Sequence, residues 1–190
     1  MLVEESEMPT LAEKEKFYTY IDYEQLPEGA PYQLIGGQLV LTPAPEPYHQ
    51  KVSLKIVSAL FRFVTENGLG EVFTAPIDVF LTNTETYQPD IIYISKENTG
   101  IISEKKIEGP PDLVVEILSP STAYYDLKHK KKVYEQTGVK EYWIVDPMEK
   151  SIEIYKNTDR GFVLIERKVA EGKVTSNLLK NFSLNTEDIF

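Results

Sequence analysis

Pro111-Asp112-Leu113-Val114-Val115-Glu116-Ile117-Leu118-Ser119-Pro120 is a short apolar run with proline at both ends. Its length and branched aliphatic content suit a central strand buried on both faces. One residue interrupts the run. A carboxylate at Glu116 is costly in a dry strand unless a counter-charge or a cation meets it. The bland reading of Glu116 is a satisfied ion pair, or a strand-end acid that reaches water.

The pattern continues on either side of this strand. Residues 119–122 carry helix-start chemistry, with Ser or Thr to cap and Pro tolerated early. A helix is predicted from there to about Thr137, stopped by Gly138. Tyr142-Trp143-Ile144-Val145 reads as the next strand. Upstream, Pro89-Asp90-Ile91-Ile92-Tyr93-Ile94 reads as a strand, and a loop at Asn83-Thr84 joins it to an alternating Ile77, Val79, Leu81 strand. The polar stretch of about 95–109 separates these strands from the central run. Residues 49–67 show helical spacing: Val52, Ile56 and Leu60 form one apolar row, and Val57, Phe61 and Val64 its neighbour, with Gly68 as the stop. Tyr32-Gln33-Leu34-Ile35 and Gln38-Leu39-Val40-Leu41 flank Gly36-Gly37, a hairpin signature. Ile152-Glu153-Ile154-Tyr155 and Phe162-Val163-Leu164-Ile165 alternate as a second hairpin. This order predicts a mixed α/β (α+β) domain with a central sheet flanked by helices.

At 190 residues one domain is expected, spanning 1–190, with residues 1–16 as an acidic arm. The chain has no cysteine, which rules out disulfides, thiolate metal sites and a cysteine nucleophile. No stretch approaches the roughly 18 apolar residues of a membrane span, and the acidic start is unlike a signal peptide. A cytoplasmic location with no membrane partner is expected. Thirty acids against 20 basic residues give a formal charge of −10, which by itself argues against a polyanionic partner. Six of those ten units, however, fall in the first thirty residues. Charge of the whole chain governs solubility and steering, not what one cleft binds.

Asp90 opens the strand expected beside the central run, so it could share a hard cation with Glu116; read alone it is a turn residue after proline. Asp126, Lys130 and Tyr134 follow at i, i+4, i+8 and share one helix face. That face could return over the central strand and bring Lys130 to the two acids, where a cation stabilises charge developing at phosphorus. The plain alternative is a surface Asp126–Lys130 pair. The run Lys128-His129-Lys130-Lys131-Lys132 is otherwise a solvated helix face.

Taken in order, Gln88-Pro89-Asp90, the run from Pro111 to Thr122, Asp126, Lys130, Tyr134, Gly138-Val139 and Glu141-Tyr142-Trp143-Ile144-Val145-Asp146-Pro147 resemble the Uma-two family of endonucleases. Leu26-Pro27-Glu28 and Pro43-Ala44-Pro45 through His49-Gln50 match at the front, so the resemblance covers about residues 17–160. It implies a restriction-endonuclease-like fold of the PD-(D/E)XK superfamily, with extra N- and C-terminal hairpins. It implies a metal-dependent endonuclease that hydrolyses phosphodiester bonds in DNA, with Mg²⁺ or Mn²⁺ held by Asp90 and Glu116. Leu118 stands where that motif places its lysine, and Lys130 matches the family's helix lysine, so the implied catalytic set is Asp90, Glu116 and Lys130. Lys128, Lys131 and Lys132 are at best phosphate contacts. Gln33 and Gln38 replace two glutamates of the family's hairpin, which opens the alternative of a weak or inactive nuclease-fold binding or regulatory module. His49 matches a family histidine at the start of the first helix; it could touch substrate or serve as general base, but a helix-entry histidine is more often structural, and it stays outside the implied set. A homodimer is allowed.

Overall fold

The computed structural model describes residues 16–119 and 125–190. Residues 120–122, expected to open a helix, lie outside these, as do residues 1–15 of the acidic arm and the side chain of Asp126. The chain begins with helix α1 (Tyr20–Glu24), the hairpin β1 (Tyr32–Ile35) and β2 (Gln38–Leu41), and helix α2 (Pro47–Asn67). Strands β3 (Gly70–Thr74), β4 (Val79–Thr82), β5 (Glu85–Tyr87) and β6 (Ile91–Ser95) follow. A 3₁₀ turn (Lys96–Ile101) and the short β7 (Ile107–Glu108) lead into β8 (Leu113–Ile117). A π-helical turn (Tyr125–Lys130) runs into α3 (Lys131–Thr137) and then β9 (Glu141–Asp146). β10 (Ser151–Thr158), β11 (Gly161–Val169), β12 (Lys173–Thr175), β13 (Ser183–Asn185) and α4 (Thr186–Ile189) complete the chain.

Strand β8 is the centre. All five of its residues are buried, Glu116 included, as befits a central strand covered on both faces. It pairs antiparallel with β6 and parallel with β9 inside a six-stranded sheet ordered β11-β10-β9-β8-β6-β3. The second hairpin of the sequence, β10 and β11, is continuous with this sheet and forms one end of it. The first hairpin belongs to another layer, a five-stranded sheet ordered β2-β1-β5-β4-β7. Its turn, Gly36-Gly37, has positive φ at both residues (58° and 75°), the two-residue geometry that glycine adopts without strain.

Strand alternation sorts the core into two halves. Leu113, Val115 and Ile117 of β8, Ile91 and Tyr93 of β6, and Trp143 and Val145 of β9 face α2 and the C-terminal segment. Val114, Ile92, Ile94, Tyr142 and Ile144 face the other way, against Val79, Tyr87 and Ile107 of the five-stranded sheet and Tyr134 of α3. Period two therefore sends Glu116 into the second half.

α2 meets the sheet through one row, Val52, Ile56, Leu60 and Val64, and ends at Gly68 in a left-handed cap (φ 59°). The second apolar row expected beside it does not form as a unit, because Phe61 is 55% exposed. A helix lying along a sheet buries little more than one stripe, and Phe61 is one residue around from Leu60. Among the described residues no helix is long and apolar enough to cross a membrane.

Candidate active site

Glu116 has a relative exposure of 3%, and its charge is met from the helix that follows its strand. Lys130, 2% exposed, donates from Nζ to Glu116 Oε1 at 3.2 Å, and the Tyr134 hydroxyl donates to the same oxygen at 2.7 Å. Burial, then the charge of Glu116, pushes the Tyr134 phenol well above its ordinary pKa, so it is a neutral donor at all physiological pH. The expected face thus brings Lys130 and Tyr134 onto Glu116. It does so without a regular helix, since Lys130 closes a π-helical turn and Tyr134 lies one turn into α3. Such turns are rare and concentrate at functional sites.

Asp90 stands just outside the ladder. Ile91, the next residue, opens β6 opposite Val115, the residue before Glu116, so Asp90 precedes the ladder at the end where Glu116 lies. Asp90 Oδ2 accepts the Ile117 N–H at 2.7 Å, which ties the start of β6 to the end of β8. His49, in the first turn of α2, completes this corner. Its Nε2 lies 3.3 Å from Asp90 Oδ1 and 3.0 Å from the Ile117 carbonyl. Burial works against the charged imidazole, but the hydrogen bond and charge of Asp90, with the Ile117 carbonyl and Glu116 behind them, outweigh it. The ring's pKa is raised above its usual value. Left outside the implied set, His49 sits directly on its first acid.

Asp90 and Glu116 lie at the same end of the β6–β8 ladder, where His49 and Lys130 already meet their charges. Among the described residues no three His, Cys, Asp or Glu side chains stand together as a complete cation cage. Magnesium asks for less: one or two carboxylates, with water and substrate phosphate in the remaining positions. Asp90, Glu116 and the Ile117 carbonyl are all oxygen donors, so this corner fits a hard divalent cation.

A further layer lies behind Lys130. The Tyr87 ring centroid is 5.6 Å from its Nζ, and Tyr87 also meets Tyr134 edge to face at 5.5 Å. The Tyr87 hydroxyl donates to Glu85. Glu85 accepts the Gly36 N–H at 2.9 Å and faces His129 Nε2 at 3.0 and 3.2 Å. None of these partners was legible from sequence. Glu85, Thr86 and Tyr87 are all buried in a three-residue strand, too short to show a period.

The two glutamines of the first hairpin part company here. Gln33 is buried; its amide donates to Thr42 Oγ1 at 3.0 Å, and its carbonyl accepts the Gln88 N–H at 2.9 Å. It therefore braces the segment leading into Asp90. Gln38 is on the exposed side of β2. Of the lysines flanking Lys130, Lys131 packs its ammonium 3.3 Å from the Tyr155 ring centroid, and burial lowers its pKa. It is turned toward that ring, while Lys132 is exposed.

A family model, Uma2, described as "Putative restriction endonuclease", matches residues 20–187. Two uncharacterized proteins of Synechocystis sp. are similar in sequence. One, slr1290, is 27% identical over 140 residues, covering 70% of each chain. The other, sll1609, is 23% identical over 170 residues, covering 87% of this chain and 96% of its own. Among solved structures, the crystal structure of "a putative nuclease belonging to DUF820" from Anabaena variabilis superposes with a TM-score of 0.74 at 20% identity. It covers 90% of this chain and 97% of its own, and shows that the two share a fold.

Proposed function

This chain belongs to the Uma2 family, and from that premise we propose that it is a metal-dependent endonuclease hydrolysing phosphodiester bonds in DNA. The observation that carries the reading is the end of the β6–β8 ladder, where Asp90 Oδ2 accepts the Ile117 N–H at 2.7 Å while Lys130 reaches Glu116, one residue earlier, at 3.2 Å. Asp90 and Glu116 would hold Mg²⁺ or Mn²⁺, with the Ile117 carbonyl as a third oxygen donor. Such a cation supplies Lewis acidity at a phosphoryl oxygen and acidity to bound water. Lys130 contributes a buried, fixed ammonium beside the reacting phosphate, where low dielectric strengthens its hold on developing negative charge. His49 keeps the Asp90 carboxylate and the Ile117 carbonyl aimed at one point. A homodimer is part of this reading, because a net charge of −10 leaves little nonspecific hold on DNA and a second copy adds contact area.

Cleavage of supercoiled and single-stranded DNA with Mg²⁺ or Mn²⁺ tests this directly. Wild type should cut, and Glu116→Ala should lower the rate at least about a hundredfold. No metal-dependent cleavage that Glu116→Ala abolishes would sink the proposal.

One observation favours a second reading, a nuclease-fold protein that binds without cutting: Asp90 and Glu116 already have partners within the chain. Calorimetry with Mn²⁺ separates the two. Binding that Asp90→Asn and Glu116→Gln remove would count against a dead site.

A further inference from the structure

Lys130 is a long, flexible side chain delivered by a π-helical turn, and something must fix its approach. Holding such a chain in one rotamer costs conformational entropy. One carboxylate outside the Asp90–Glu116 pair reaches Lys130 by two routes. Through space, Glu85 accepts the hydroxyl of Tyr87, whose ring lies 5.6 Å from the ammonium and braces Tyr134 edge to face. Along the chain, Glu85 faces Nε2 of His129, the residue next to Lys130, at 3.0 Å. Glu85 is itself anchored by the Gly36 N–H at the hairpin turn. The imidazole lies close against that turn, since a Cβ on Gly36 would stand 3.2 Å from His129 Cε1.

We propose that Glu85 is a positioning residue for Lys130, clamping it to the five-stranded sheet through Tyr87 on one side and His129 on the other. The inference rests on the role given to Lys130 above. It goes further by placing control of that lysine in a strand that contributes nothing to the Asp90–Glu116 pair. The clamp joins three elements distant in sequence: the hairpin turn, β5 and the π-helical turn. Without it the ammonium would still be attracted to Glu116, but from a turn free to shift.

The test uses the full chain, ¹⁵N-labelled, with the Lys130 ammonium resonance identified by its loss in Lys130→Met. In wild type the buried ammonium should exchange slowly with water. His129→Ala and Glu85→Gln should accelerate that exchange about tenfold. His129→Gln, which keeps an N–H donor for Glu85, should restore the wild-type rate. In cleavage assays the same variants should lower kcat about tenfold with KM unchanged. If Glu85→Gln fails to fold, the half-exposed His129→Ala decides. An ammonium equally slow in wild type and His129→Ala overturns the clamp, as does one too mobile to observe in wild type. Because this signal needs no turnover, a wild type that never cuts counts against the nuclease reading and leaves the clamp to be judged on exchange alone.

Discussion

Glu116 and Glu141 sit on neighbouring strands of one sheet, at 3% and 1% exposure, yet they face opposite halves of the core. Glu141 is held entirely by neutral donors. Its Oε1 accepts the Trp143 indole N–H and the Ser176 hydroxyl, both at 2.7 Å, and its Oε2 accepts the N–H groups of Asn177 and Leu178 at 2.7 and 2.9 Å. Three of those donors belong to the segment joining β12 to β13, so Glu141 staples the C-terminal region to the sheet. Glu116 is met by a lysine and a phenol from the helix that follows its own strand. A buried acid is therefore not in itself a functional signal. What separates the two is whether the charge is absorbed by fixed amides or kept beside another titratable group.

The comparison is broken most severely at Glu141. Glu141→Ala removes the acceptor of four donors, two of them buried side chains and two partly buried backbone groups that no second substitution can delete. A loss of about 4 kcal/mol is expected. Urea unfolding followed through Trp143, the only tryptophan, would measure it. A loss below about 1 kcal/mol would erase the distinction, because Glu141 would then hold the C-terminal segment no better than a surface contact.

Glu116 should behave differently because its partners are side chains. Glu116→Leu alone strands a buried ammonium and should cost about 3 kcal/mol. Replacing the set together, as Glu116→Leu with Lys130→Met and Tyr134→Phe, removes the three groups that meet at Glu116 Oε1. It should return stability to the wild-type level or about 1–2 kcal/mol above it. The same triple variant should have no cleavage activity. If it is no more stable than Glu116→Leu alone, the charged cluster is structural, and its resemblance to a catalytic site is misleading.

The same contrast explains what the sequence made legible. Glu116 announced itself because five aliphatic neighbours surround it in a short run. Lys130 followed from helical spacing, although the turn that carries it is π-helical and not the regular helix that the spacing assumes. Val52, Ile56 and Leu60 were readable because one row faces the sheet, and Phe61 was misplaced because periodicity does not fix how wide a stripe the sheet covers. The five-stranded layer was the largest omission. β5 and β7 have three and two residues, and their pairing with β1 and β4 joins segments far apart in sequence. His49 with Ile117, and Glu85 with His129, are 68 and 44 residues apart, so no local pattern could link them. Glu141 lay in plain view at the start of a strand, but its donors 35 to 37 residues further on were invisible.

The smallest expected effect is a matched pair of hydroxyl deletions. Tyr134 and Ser176 each donate to Oε1 of their glutamate at 2.7 Å, and neither glutamate is exposed. By distance alone the two deletions should cost the same. Their surroundings say otherwise. Ser176 Oγ also accepts the Leu179 N–H at 2.8 Å, so Ser176→Ala leaves a backbone donor unpaired as well as taking one bond from Glu141. About 2 kcal/mol is expected. Tyr134→Phe preserves the ring that packs between Tyr87 and Tyr142, strands no donor, and leaves Lys130 facing the carboxylate. Its cost should stay near 1 kcal/mol, read from the same urea curves. Its larger consequence should be chemical. With the phenol's hydrogen bond gone from Glu116 Oε1, metal-dependent cleavage should change more than stability does. A Tyr134→Phe protein that loses stability as Ser176→Ala does, with cleavage untouched, would put both glutamates in the structural class and remove the ground on which they were set apart.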